Sequence, residues 1–232
     1  MQYKLSSALR TLLLLAFTQL SALTLSMPAP VATQTVVPLA PFSSVELRDG
    51  GKVILHHGPT QRVTLVKGSL DYTRVTIADG GRLVIVKCKS HCPRGYNLEI
   101  EIVTPDIARI SVADGGTIQS RGSFPREAEI GLAVNDGGTI DIRSMVVDSV
   151  TASVAEGGRI FTMPQAAMFA SVVDGGIITY WGDARVKSSI QGGGVVTKGT
   201  AVEADKPLSE LSPPLPSPPS IPPLPAIPPS QS

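Results

Sequence analysis

The tripeptide Asp-Gly-Gly, or a close copy of it, recurs along the middle of the chain and restricts the fold more than any other feature. Seven units read apolar, any residue, acid or Gly, Gly, Gly, any residue, apolar. Their third positions are Asp49, Asp79, Asp114, Asp136, Glu156, Asp174 and Gly192. From Asp114 onward the spacings are 22, 20, 18 and 18 residues. A short period of this kind is the mark of stacked repeats, because one unit cannot bury its own apolar face. Glycine reaches positive φ without a Cβ clash, and Asp can bond its own downstream backbone, so each tripeptide reads as a turn.

The flanks alternate with period two, the strand signal. Aligning the units gives one column of Val112, Val134, Val154, Val172 and Ile190 before the turn. Two residues earlier stand Ile110, Leu132, Ala152, Ala170 and Ser188, and two earlier again Ala108, Ile130, Val150, Met168 and Val186. After the turn, Ile118, Ile140, Ile160, Ile178 and Val196 form a fourth column. Matching residues at matching phase are what a parallel stack buries. The expected class is therefore all-β, a parallel β-helix or β-roll solenoid of short coils with Asp-Gly-Gly turns. The wider spacings of 30 and 35 residues between Asp49, Asp79 and Asp114 point to an N-terminal β cap over Phe42 to Val103.

The ends differ from this body. Lys4 and Arg10 precede an apolar run from Thr11 to Leu25, with small residues at Thr24 and Ser26. That run is shorter than the roughly 20 residues of a spanning helix and reads as a secretory signal peptide over 1–26. Residues 27–40 are then a linker, 41–200 the solenoid domain and 201–232 a disordered proline-rich tail. From Pro207 to Ser232, 11 of 26 residues are proline, which fixes φ and removes the backbone donor. Without Lys4 and Arg10 the charge is 18 basic against 19 acidic residues, no footprint for nucleic acid. The expected location is outside the cytoplasm: periplasm, cell surface or extracellular space, with no membrane span in the mature chain.

Several motifs together resemble a known family, the putative auto-transporter adhesin head domain or GIN domain, over about residues 41–200. They are Phe42-Ser43-Ser44-Val45-Glu46-Leu47 with Val53-Ile54-Leu55, then Gly81-Arg82-Leu83-Val84-Ile85 and Thr104-Pro105-Asp106-Ile107-Ala108-Arg109-Ile110. The last is Tyr180-Trp181-Gly182-Asp183-Ala184-Arg185-Val186. The resemblance implies an exported β-solenoid with no assigned catalytic residue or cofactor. Where the family has Gly-Ser-Gly or Gly-Ala-Gly turns, this chain has Asp-Gly-Gly.

Four groups of side chains are candidates for a site. Cys88 and Cys92 are the only cysteines. In an oxidising compartment a disulfide is the default; free thiols or a metal held with His91 are the alternatives. His56 and His57 are adjacent, so a strand points them to opposite faces. Asp114, Asp136, Glu156 and Asp174 would stack about 4.8 Å apart, where neighbours repel by roughly 0.9 kcal/mol in bulk water. Backbone capping, splaying into solvent, pairing with Lys52, Arg82 or Arg159, or a bound divalent cation would relieve that repulsion. Trp181, the only tryptophan, falls on the outside by alternation from Ile178, where it could stack on a sugar ring or pack under a terminus. The leading functional expectation is a non-catalytic, adhesin-like binding or scaffold module for an envelope or surface component, a glycan among the candidates. The rival is a carbohydrate-active β-helix enzyme, which would need paired carboxylates in a groove.

Overall fold

Alternating β-branched residues and positive-φ turns leave almost no room for helix, and the protein is all-β. The computed structural model describes residues 34–211. The expected leader and most of the proline-rich run lie outside the described residues. No described helix is long and apolar enough to cross a membrane.

The strands in chain order are β1 (Thr35–Val37), β2 (Ser44–Arg48), β3 (Lys52–His57), β4 (Arg62–Lys67), β5 (Arg74–Ala78), β6 (Arg82–Val86) and β7 (Glu99–Thr104). There follow β8 (Arg109–Ala113), β9 (Thr117–Arg121), β10 (Glu127–Asn135), β11 (Thr139–Ala155), β12 (Arg159–Val173), β13 (Ile177–Tyr180), β14 (Arg185–Gln191) and β15 (Val195–Lys198). All fifteen belong to one sheet, whose eleven-strand main path runs from β1 to β5 and curls back on itself at β11.

Two parallel ladders make up most of that sheet. One is β6, β2, β8, β10, the second half of β11, the second half of β12, and β14. The other is β7, β3, β9, the first half of β11, the first half of β12, β13 and β15. The apolar columns are ladder partners: Val112 lies on Val134, Val134 on Val154, Val154 on Val172 and Val172 on Ile190. Ile118, Ile140, Ile160, Ile178 and Val196 align in the same way. Most of these side chains are fully buried, and each such burial contributes roughly 1.5–3 kcal/mol. Register shifts in the β11–β12 pairing, between Asp141 and Val146 and between Val147 and Ser149, mark where the long strands bend from one ladder into the other.

The turns show why the tripeptide repeats. Asp114, Gly115 and Gly116 have φ of 60°, 83° and 99°, and the turns at Asp49, Asp136, Glu156 and Asp174 follow the same course. Three consecutive left-handed residues are open to little besides Gly, Asp and Asn. The turns stack through backbone bonds. Asp114 N–H donates to Asn135 O, Asp136 N–H to Ala155 O, and Glu156 N–H to Val173 O.

The first half departs from the regular repeat in two ways. The turn at Asp79 closes an antiparallel hairpin between β5 and β6 and does not join the two ladders. The N-terminal third closes one end with antiparallel β4, β5 and β1, yet it also supplies two levels of the parallel ladders, β2 with β3 and β6 with β7. The level formed by β6 and β7 lies outside that of β2 and β3, so the chain runs outward and returns before β8.

The ordered chain also extends past both expected domain limits. Thr35–Val37 pairs with β4 inside the expected linker. Beyond residue 200, a short helix α1 (Ala201–Ala204) and a 3-10 turn (Leu208–Glu210) form a strap. Thr200 and Glu203 make a capping box at its start. The start of the expected disordered tail is therefore structured.

Candidate functional site

Parallel stacking places identical phases of successive units in rows on the outer surface as well as in the core. On the ladder of β8, β10, β11, β12 and β14, the outward rows are Ser111, Ala133, Ser153, Ser171, Ser189 and Arg109, Gly131, Thr151, Phe169, Lys187. Five strands at about 4.8 Å spacing span about 19 Å. Side chains there are small except at a few places, so the face is a shallow groove.

Two depressions share Thr151 and Ser153 as a common wall. The first, of about 430 Å³, is bordered by Arg109, Glu129 and Gly131. Gly131 deepens it, and a Cβ there would come within 3.4 Å of Arg109 Nε. The second, of about 310 Å³, is bordered by Phe169, Ser171, Lys187 and Ser189. Phe169 is 53% exposed, an unusual place for a large aromatic ring. The groove thus carries a cation at each end, an aromatic platform and a row of hydroxyls. Glu129 is the carboxylate among its lining residues, where glycoside hydrolysis would use a pair. A larger open concavity of about 810 Å³ lies beside Pro38, Pro59 and Pro105, but its walls are mostly apolar or proline.

Cys88 and Cys92 form a disulfide, with Cα atoms 5.9 Å apart. It closes the loop between β6 and β7. That loop is held from inside by the Tyr96 hydroxyl, which accepts from Ser69 N–H at 2.7 Å and lies 2.7 Å from Thr73 Oγ1. His57 lies at the exposed end of β3 with its ring 5.9 Å from Phe124, and His91 is exposed in the disulfide loop.

The acids Asp114, Asp136, Glu156 and Asp174 do stack at the turns. Among the described residues none accepts a hydrogen bond at its own turn, so their service there is to adopt positive φ, not to cap the backbone. Lys52 and Arg159 form no ion pair with them, and Arg82 pairs with Glu46 at 3.2 Å instead. A hydrogen bond shared with the Asp136 carboxyl, and then its charge, push the Glu156 carboxyl above its ordinary value, with burial and Asp174 adding to the effect. No group of three or more His, Cys, Asp or Glu side chains among the described residues is arranged to hold a metal ion.

Trp181 lies on the outer side of its strand and packs under a terminal segment, one of the two environments open to it from the sequence. It is only 5% exposed, because the strap crosses it. Its Nε1 donates to Thr200 O at 2.8 Å. Beside it, Arg143 is clamped on Asp141 by Nη2 at 2.7 Å and Nε at 2.9 Å, and its Nη1 donates to Glu203 O and Ala204 O at 2.9 and 3.0 Å. The guanidinium also lies 5.6 Å from the centre of the Phe161 ring. Strand alternation could not reveal this cluster, since Asp141, Phe161 and Arg143 all start from the outer surface of β11 and β12 and are covered by a segment about forty to sixty residues later in sequence.

Comparisons with known proteins place these features. A comparison with curated proteins finds no relative. Among solved structures, a "putative adhesin" from Bacteroides fragilis is 15% identical over 72% of this chain and 95% of its own, with a TM-score of 0.45. A "putative adhesin" from Parabacteroides merdae is 11% identical over 72% and 96%, at 0.33. A "putative cell adhesion protein" from Clostridium sporogenes is 12% identical over 72% and 98%, at 0.37. Residues 41–176 match the family described as "Putative auto-transporter adhesin, head GIN domain", and the chain belongs to that family.

Proposed function

We propose that the protein is an exported, non-catalytic binding module, built as a parallel β-helix with Asp-Gly-Gly corners, that holds a surface polysaccharide in the groove across β8 to β14. The family is named for adhesion, which supports an adhesin-like surface role. The observation that carries the ligand class is the row of Thr151, Ser153, Ser171 and Ser189 beside exposed Phe169. A sugar ring offers an apolar face for the phenyl ring and hydroxyls for the serines, and a groove open at both ends admits a polymer. Arg109 and Lys187 at the two ends favour a polymer with negative charge. Export rests on the basic and apolar leader, and the single groove carboxylate argues against hydrolysis.

A binding screen of the protein against envelope and extracellular polysaccharides, with product release monitored in the same wells, tests this reading. Saturable binding without product, lost in Phe169→Ser, is the expected result. Product formation would favour the rival carbohydrate-active enzyme, and binding indifferent to Phe169→Ser would remove the groove from the account.

A further inference from the structure

The strap does more than bury Trp181. Between it and the outer surface of β12, β13 and β15 lies a cavity of about 250 Å³. Its walls include Trp181, Phe161, Thr179, Thr197, Arg159, Lys198 and, from the strap, Glu203, whose carboxylate accepts from the Thr200 N–H and hydroxyl. Thr179 and Thr197 are direct ladder partners, so their side chains stand side by side about 4.8 Å apart. Phe161 and Trp181, 6.2 Å apart between ring centres, supply an aromatic wall. The Lys198 ammonium is engaged by Asp183 at 3.1 Å. Arg159, in contrast, makes no side-chain hydrogen bond or ion pair among the described residues.

The volume falls just under the roughly 300–1,000 Å³ of sites for drug-sized ligands, which suits one ring and not a chain. The wall chemistry narrows the choice. An aromatic wall suits the apolar face of a pyranose, paired hydroxyls suit its ring hydroxyls, and an uncommitted guanidinium suits a carboxylate, which it grips through two parallel N–H donors. We propose that this cavity is a second site, independent of the groove, which binds a single uronic acid residue, with its carboxylate on Arg159 and its ring against Trp181. The strap gives the cavity its outer wall. Arg143 and Asp141 hold the strap in place and stay outside the site.

The cavity carries its own reporter, because Trp181 is the only tryptophan of the chain. The experiment is a titration of intrinsic fluorescence with galacturonic acid, glucuronic acid and glucose. The expected result is a saturable change in emission with one or both uronic acids and none with glucose at equal concentration. Arg159→Gln should weaken the response about tenfold or more, and Phe169→Ser should leave it unchanged. Both variants should melt like the wild type, since Phe169 is exposed and the half-buried Arg159 has no side-chain hydrogen bond or ion pair to lose among the described residues. No response to either uronic acid, an equal response to glucose, or full binding by Arg159→Gln would each overturn the assignment. Loss of polysaccharide binding in Phe169→Ser with an unaltered uronic acid response would confirm that the two sites are separate.

Discussion

The Arg143 guanidinium lies 5.4 Å from the centre of the Trp181 ring, and the two side chains hold the same strap at different points. Trp181 grips Thr200, where α1 begins, and Arg143 grips Glu203 and Ala204, where it ends. The Arg143 and Asp141 side chains are 8% and 5% exposed, so their pairing is a buried one.

Removal of Arg143 should therefore cost far more than a surface mutation. Arg143→Ala leaves the Asp141 carboxylate buried with no counter-charge and only the backbone N–H of residue 143 donating to it, a situation that typically costs about 3–5 kcal/mol. Trp181 emission should shift to the red as the strap lifts. Arg143→Met combined with Asp141→Leu should recover most of the stability, since it leaves no unpaired charge. Urea unfolding of the three proteins, followed by Trp181 emission and by far-ultraviolet circular dichroism, measures both effects. A cost below 1 kcal/mol for Arg143→Ala would show that the pair is solvated.

Acid should loosen the same strap. Bonds from the Thr200 N–H, and then from its hydroxyl, hold the Glu203 carboxyl below its ordinary value. A depressed folded value means that the stabilisation is fully present above the unfolded carboxyl value of about 4.3 and is lost as pH falls through the folded one. A red shift in Trp181 emission should accordingly begin below about pH 4. In Glu203→Gln it should lose its pH dependence in that range. A wild-type emission flat down to the global acid transition would contradict this.

How much of this was legible in the residues depends on what each pattern encodes. Val112, Val134, Val154 and Val172 could be aligned from spacing alone, because a repeated turn fixes the phase of every residue around it. Asp79 falls in the N-terminal cap, where its Gly-Gly pair serves a hairpin equally well. Nothing local distinguishes a turn that joins two ladders from one that doubles back. The excursion through β4 and β5 accounts for the wide spacing before it, and the disulfide loop between β6 and β7 for the one after it. Trp181 could not be placed by alternation, since its cover comes from the strap and not from its own strand. The groove's serines and threonines stand in the sequence as residue types, but nothing there marks them as a groove. Its depth needed Gly131, and its aromatic platform needed the register that sets Phe169 beside Thr151 and Lys187.

The acidic ladder should make stability rise as pH falls from neutrality toward the carboxylate range. The raised folded value of Glu156 means that its ionised form is disfavoured in the native protein. The native state then takes up a proton before the unfolded chain does, and stability increases as pH falls through the raised value. Glu156→Gln should melt higher than the wild type at pH 7 and show a flatter profile on mild acidification. Thermal melts between pH 7 and pH 5 decide the matter. A Glu156→Gln protein less stable than the wild type at pH 7 would mean that the charge is compensated at the turn.

The two glycines of a single turn should answer differently to the same substitution. Gly137 and Gly138 have φ of 81° and 98°, so an alanine at either costs the left-handed penalty of about 1–2 kcal/mol. A Cβ at Gly137 would meet nothing within 4 Å. At Gly138 it would come within 2.6 Å of Val112 Cγ1 and 3.1 Å of Gly116 O, because this turn sits directly on the level below. Gly138→Ala should therefore cost an additional 1–3 kcal/mol, roughly the price of an overpacked core. Val112→Ala in the same protein should relieve the clash, so the double variant should lose less than the two single losses added together. Gly137→Asn should be nearly neutral, since Asn tolerates positive φ. Urea unfolding of the five variants gives the comparison. Equal losses for Gly137→Ala and Gly138→Ala would mean that the turn does not rest on Val112, and the register of the whole ladder would have to be redrawn.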